Sequence, residues 1–323
     1  MLSEDGSMKF IFVGNFQVEY SSENHHSQSL EALGHEVVKL QEGEASGDQI
    51  LSLALGADGL IFVHTHSWIT PGKPMAEVFA TLKSKNIPSI TYHLDLWLGI
   101  ERQKDLEQDD FYKSIEYFFT VDKLMADYFN ERTPVKGRYM PAGVFDKECV
   151  MLEPESVNYD VIFVGSKGYH HEWQYRPQLI DWLRDTYGTR FLHVGGDGDT
   201  GTVRGMALNQ IYANAKVAIG DTLCLNYNYP YYFSDRLFET TGRGGFIIHP
   251  YILGLEKEFT DGVHLRFYPF ANFDFLKKTI DYYLDPANET EREAMRLAGH
   301  TRTKNKFTYK NRWQAIIKEV YSE

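Results

Sequence analysis

The chain of 323 residues is 43% hydrophobic and 15% aromatic, which suits two packed domains of about 150 residues each and excludes a disordered chain. A formal net charge of −12 excludes a generally basic surface of the kind that grips nucleic-acid or anionic-lipid phosphates. Two cysteines, Cys149 and Cys224, sit in different halves, with neither metal-ligand spacing nor a disulfide framework, and so read as a reducing, cytoplasmic setting. The N-terminal MLSEDGSM has no basic start and no apolar core of signal-peptide length. No apolar run approaches the ~18 residues of a membrane span, so no transmembrane segment is expected.

The first half alternates strand and helix signals. Lys9–Val13 predicts a strand ending in Gly14-Asn15. A polar loop with Glu23-Asn24-His25-His26 follows, then a helix over Ser27–Leu33 closed by Gly34. Glu36–Leu40 predicts a strand, Gln49–Leu55 a helix, and Gly59–His64 a buried strand running into Thr65-His66-Ser67. Met75–Lys85 predicts a helix with lysines in its last turn, where they suit the helix dipole. Pro88–His93 predicts a strand leading into Leu94-Asp95-Leu96-Trp97. Tyr117–Val121, Lys123–Asn130 and Arg138–Pro141 read as strand, helix and short strand. Residues 150–158 lack periodicity, contain a proline and mark a linker.

The pattern then restarts. Tyr159–Val164 predicts a strand ending in Gly165, and Pro177–Tyr187 a helix with proline in its first turn. Arg190–Val194 leads into Gly195-Gly196-Asp197-Gly198. Met206–Ala215 predicts a helix and Lys216–Ile219 a strand. Ser234–Thr241 predicts a helix, Phe246–His249 a strand, and Phe273–Leu284, Glu289–Ala298 and Asn311–Tyr321 helices. Near-continuous apolar strands separated by helices mean parallel sheets covered on both faces. The expected fold is α/β, with two doubly wound, Rossmann-like domains facing across a cleft. The expected divisions are a first domain over 1–150, a second over 151–310, and a closing helix over 311–323 that packs back on the first domain. Ligands in such folds sit outside the carboxyl ends of the strands.

Tyr231–Phe267 carries the densest chemistry. Asp235 and Arg236 precede Glu239 by about one helical turn, so Arg236 and Glu239 can share a face. Gly242-Arg243-Gly244-Gly245 ends that helix, Phe246-Ile247-Ile248 is a buried-type strand, and Gly254-Leu255-Glu256 follows. A carboxylate suits the two hydroxyls of a ribose, and a guanidinium suits a diphosphate through two charge-assisted bonds. An exposed helix ion pair is the plain alternative.

With this layout the second half resembles the GT-B glycosyltransferases, and within them the CgeB-like group. The resemblance covers about residues 159–320. It is strongest over Ser234–Tyr268 and over Lys306–Arg312, which resembles that group's closing HTYxxR segment. Met206–Ile219 resembles the helix and strand before the donor loop, and Phe191–Gly198 resembles the VxGDG strand and loop. The resemblance implies a cytoplasmic hexosyl- or pentosyltransferase that uses a nucleoside-diphosphate sugar, a UDP-sugar first, with no cofactor and no metal. It implies Glu239 as the ribose carboxylate. A second carboxylate eight positions earlier is usual in retaining members, and Tyr231 stands there instead, so retention and inversion both stay open.

The remaining donor candidates are Ser166, Lys167 and Arg176, near free amides at a helix start, together with Gly195, Gly196, Gly254 and Glu256. Asp197-Gly198-Asp199 is an Asp-x-Asp, but one pair of carboxylates does not complete a metal site. His170, His171 and Trp173 share the loop after Lys167, and Leu225–Phe233 is rich in aromatics suited to stacking. For the acceptor's proton Asp95 leads, beside an aromatic able to stack on a sugar, with His66 and His26 next. The cations of 296–313 read as solvated helix faces. Competing readings are a nucleotide-sugar epimerase on the same fold and a non-catalytic sugar-nucleotide-binding protein. The acceptor stays open between a glycan, a small molecule, a protein and a modified DNA base.

Overall fold

The computed structural model describes residues 6–63, 70–98, 100–168, 174–221 and 229–322. The chain forms two compact units, Met1–Pro141 with Tyr309–Glu323, and Ala142–Thr308. Residues 64–69, 169–173 and 222–228 lie outside the description, and with them Thr65, His66, His170, His171, Trp173, Cys224 and Tyr227.

The first unit runs β1 (Lys9–Gly14), α1 (Ser22–Ala32), β2 (Glu36–Gln41), α2 (Gly47–Ala54), β3 (Gly59–Phe62), α3 (Met75–Ser84), β4 (Ser89–His93), α4 (Gln103–Gln108), α5 (Phe111–Ser114), β5 (Tyr117–Thr120), α6 (Lys123–Arg132) and β6 (Lys136–Tyr139). The strands form one parallel sheet in the order β2-β1-β3-β4-β5-β6. Alternate residues of β1 face opposite sides, as a strand requires. Ile11 and Val13 join Leu60, Phe62, Phe79 and Phe118 in the core on one face. Phe10 and Phe12 face the other way, toward the last helix of the chain.

Ser21 caps α1, accepting the Asn24 N–H at 3.1 Å. That cap starts the helix five residues earlier than its apolar pattern suggests. Glu23, Asn24, His25 and His26 are therefore helical rather than a polar loop.

The second unit runs β7 (Tyr159–Val164), α7 (Tyr175–Tyr187), β8 (Phe191–Val194), α8 (Gly205–Ala213), β9 (Ala215–Ile219), α9 (Asp235–Gly242), β10 (Ile247–Pro250), α10 (Leu255–Glu258), β11 (Arg266–Tyr268), α11 (Phe273–Leu284) and α12 (Glu289–Lys306). Its parallel sheet has the order β11-β10-β9-β7-β8. β11 is three residues long and carries no pattern visible in isolation. The buried Arg243 guanidinium closes the end of α9. It donates to the Gly205 carbonyl at 2.9 Å, to Asn209 Oδ1 at 2.5 Å and to Glu148 Oε2 at 2.5 Å. His300 Nδ1 meets the Gly242 carbonyl at 2.9 Å, and the Thr241 and Thr303 hydroxyls lie 2.7 Å apart, which pins α12 to α9.

The chain ends with α13 (Tyr309–Tyr321) in the first unit. Trp313 is fully buried against Phe12, Tyr92 and His26. Its indole donates to His26 Nδ1 at 3.0 Å, and the His26 ring stacks on Tyr309 with centroids 3.8 Å apart. Trp313→Ala is expected to lower unfolding stability by about 3–5 kcal/mol in urea titrations. A loss below about 1 kcal/mol would show that α13 is dispensable to the unit.

Candidate functional site

The second sheet has one topological switch. β8 adds on one side of β7 and β9 on the other, and the carboxyl ends of the strands at such a switch are where sheets of this kind form a ligand crevice. Gly165-Ser166 leaves β7 there, and Gly220-Asp221 leaves β9.

Asp221 is buried between two guanidiniums, each from the second residue of a helix. Arg176 of α7 donates from Nε to Asp221 Oδ2 at 2.7 Å, and from Nη1 to the Ser166 carbonyl at 3.0 Å. Arg236 of α9 donates from Nη1 to Asp221 Oδ1. Burial alone would push the Asp221 carboxyl up. The two guanidiniums, Arg176 ahead of Arg236, more than reverse this and hold it at about 2. Within this trio two guanidiniums meet one carboxylate, so Asp221 balances only one of the two positive charges. Both guanidiniums also lie over the Phe163 ring of β7, 5.1 Å from its centroid for Arg236 and 5.9 Å for Arg176.

Arg236 crosses Gly165 so closely that a Cβ there would come within 2.6 Å of Nη2, and Gly165 has φ of +138°. Only glycine fits on both counts. A Cβ on Gly195, after β8, would lie 2.5 Å from the Gly165 carbonyl, so the first two strand-end loops touch.

Glu239 lies one turn past Arg236 and is partly buried. The two do not pair, because Arg236 turns to Asp221 instead. The Glu239 carbonyl accepts the Arg243 N–H at 2.9 Å, but among the described residues its carboxylate has neither a hydrogen bond nor an ion pair. Burial first, and the neighbouring Asp235 second, push its carboxyl above the ordinary range. Asp235 itself is exposed.

Other loop carboxylates are already engaged. Asp197 accepts the Lys167 N–H at 2.9 Å and the Gly168 N–H at 2.8 Å, fixing the turn after β7. Asp199 accepts the His193 N–H at 2.8 Å and pairs with Arg184 at 2.5 Å. The Lys167 ammonium pairs with Asp181. Gly196 faces the Thr202 and Ser166 hydroxyls. Glu256 Oε2 accepts from the Gly254 N–H at 3.0 Å and the Tyr251 hydroxyl at 3.1 Å, closing its own turn. Among the described residues no group of three His, Cys, Asp or Glu is arranged to hold a metal ion.

Tyr231 has φ of +55°, uncommon for a residue with a Cβ. Its ring lies against Gly254, with the Lys257 ammonium 5.4 Å from the ring centroid. Tyr229 and Tyr232, from the aromatic run, are buried.

In the first unit Asp95 is partly buried with Arg102 at 4.0 Å, and its carbonyl lies 3.1 Å from His93 Nδ1. Trp97 is buried, edge-on to His93 and Tyr112, so it is a core residue and not a surface for stacking a sugar. His26 is likewise built into packing rather than standing at a loop. Asp221 and His249 were absent from the sequence-derived candidates. The signal for Asp221 was its place directly after a buried strand.

Two parallel Rossmann-like sheets with a polar switch point in the second define the GT-B fold. Residues 176–318 match the glycosyl transferase-like family, so the C-terminal half carries a glycosyl transferase-like domain. No curated protein matches the chain in sequence. Among solved structures, an alpha-glucosyltransferase in complex with UDP-glucose and DNA containing an abasic site is similar at 10% identity and TM-score 0.68, over 98% of this chain and 100% of that one. HepE from Anabaena, in complex with UDP, is similar at 12% identity and TM-score 0.62, over 98% and 100%. A glycosyltransferase from Rickettsia africae ESF-5 is similar at 11% identity and TM-score 0.58, over 97% and 98%. No helix among the described residues is long and apolar enough to cross a membrane.

The depressed Asp221 pKa has a consequence for folding. Its stabilisation is complete above the unfolded value of 3.8 and is lost as pH falls through about 2. The wild type is expected to lose about 2 kcal/mol over that window that Asp221→Asn does not lose, read from urea titrations at each pH. Parallel acid profiles for the two proteins would contradict the arrangement.

Proposed function

We propose that this chain is a glycosyltransferase that takes its sugar from a UDP-sugar and passes it to an acceptor hydroxyl. The observation that carries the reading is the pair of guanidiniums held by Asp221 at a sheet switch point, inside a glycosyl transferase-like domain. Two preset guanidinium forks suit a diphosphate, and their charge favours the leaving nucleotide as negative charge develops on it. Glu239, unspent among the described residues, suits the paired hydroxyls of the ribose. Similar folds bound to UDP and to UDP-glucose support the choice of base. In this reading Ser166, Gly195 and Gly196 supply close backbone to the nucleotide, and the first unit receives the acceptor. Asp95 is the residue to test there as a base.

A modified DNA base is a second acceptor reading. It is favoured by an alpha-glucosyltransferase of similar fold described in complex with UDP and DNA containing an HMU base. The net charge of −12 opposes it. If DNA is the acceptor, duplex binding should fall by at least about tenfold between 50 and 200 mM salt in fluorescence titrations. No measurable duplex binding at low salt would remove this reading.

Calorimetric titration of UDP, GDP, dTDP and CMP tests the donor side. UDP is expected to bind the wild type. Arg236→Ala should weaken it by about 100-fold and Glu239→Ala by about tenfold, the scale of lost charged and neutral hydrogen bonds. Equal UDP affinity in all three proteins would overturn the site.

A further inference from the structure

His249 lies in β10 and is buried. Its ring sits directly against the end of β9: a Cβ on Gly220 would lie 2.3 Å from His249 Cδ2 and 3.2 Å from Nε2. Gly220 is the residue before Asp221, so the imidazole borders the switch point that holds Arg176 and Arg236.

The protonation of the ring follows from its one hydrogen bond. Nδ1 lies 2.8 Å from the Pro250 carbonyl, which can only accept, so Nδ1 carries the hydrogen. Burial first lowers the ring's pKa, to about 4, and the ring is neutral at physiological pH. Nε2 is then a lone-pair acceptor. Among the described residues it has no hydrogen-bond partner. The ring as a whole is buried, and this acceptor stands beside Gly220 at the switch point.

A ligand group that meets Nε2 there must bring an O–H or N–H. A diphosphate at neutral pH offers neither, and a lone pair aimed at it would be repelled. The ribose hydroxyls are matched to Glu239. We propose that His249 Nε2 accepts a hydrogen bond from a hydroxyl of the sugar that the donor carries, and so helps to select that sugar. This rests on the donor-site reading above.

The test uses the full chain, and calorimetry with UDP, UDP-glucose, UDP-galactose and UDP-N-acetylglucosamine on the wild type, His249→Ala and His249→Gln. The wild type should bind one UDP-sugar more tightly than UDP. His249→Ala should cost that UDP-sugar about tenfold or more while moving UDP by less than about twofold. His249→Gln, whose amide oxygen reaches the place of Nε2, should recover most of the loss. Thermal melts report folding, and if His249→Ala does not fold, the test passes to His249→Gln. That variant must then keep its preference for the same UDP-sugar over UDP. Equal losses for UDP and UDP-sugar would assign the residue to the nucleotide or to packing and overturn the proposal. So would unchanged UDP-sugar binding in His249→Ala, or a wild type that binds UDP and no UDP-sugar more tightly. If the wild type fails to bind UDP at all, the donor-site reading itself fails, and this proposal with it.

Discussion

The Asp221 carboxylate, buried between Arg176 and Arg236, is the interaction on which the second unit's site depends. Two guanidiniums brought together in a low-dielectric place repel each other, and a lone buried carboxylate would take up a proton. Together each removes the other's penalty. The cluster also joins the end of β9 to the first turns of α7 and α9, and through the Ser166 carbonyl to the loop after β7. A buried ion cluster of this kind adds little net stability over an apolar one, but it fixes geometry. The forks are oriented before any ligand arrives, which removes an ordering cost from anion binding.

Around that cluster most polar side chains are already committed. Asp197 and Asp199 hold backbone amides, Glu256 closes its own turn, and Glu148 pairs with Arg243. Glycines at the strand ends remove the bulk that would separate the loops, so backbone and guanidinium meet over Gly165. Among the described residues Glu239 and His249 Nε2 keep hydrogen-bonding capacity next to the cluster. One is a carboxylate with a raised pKa, and the other a neutral imidazole nitrogen. They differ in what they can accept, which separates a ribose-type role from a sugar-selecting one.

In the first unit, aromatic packing takes several residues whose chemistry looked available. His26 is held by Trp313 and Tyr309, and Trp97 lies in the core beside His93 and Tyr112. The partners of His26 come from α13, nearly 290 positions along the chain, a distance no local pattern spans. Asp95 keeps partial exposure but stands near Arg102.

The alternation of apolar runs with helix signals determined the two parallel sheets by itself. Strands buried on both faces must be continuously apolar, and that is a local property. The cap chemistry of Ser21 is also local, but the residues that follow it are polar and carry no apolar helix period. The Arg236 and Glu239 helix was legible from spacing, because helical neighbours are fixed by 3.6 residues per turn. Which of them Arg236 would meet was not. That depended on sheet order, which sets the end of β9 beside β7 and brings Asp221 within reach of helices 45 and 15 positions away. His249 gained its meaning in the same way, from a glycine on a neighbouring strand. Sequence determined which elements form. Tertiary structure alone decided which charges share a crevice, because strand order and burial are set by the packing of the whole sheet.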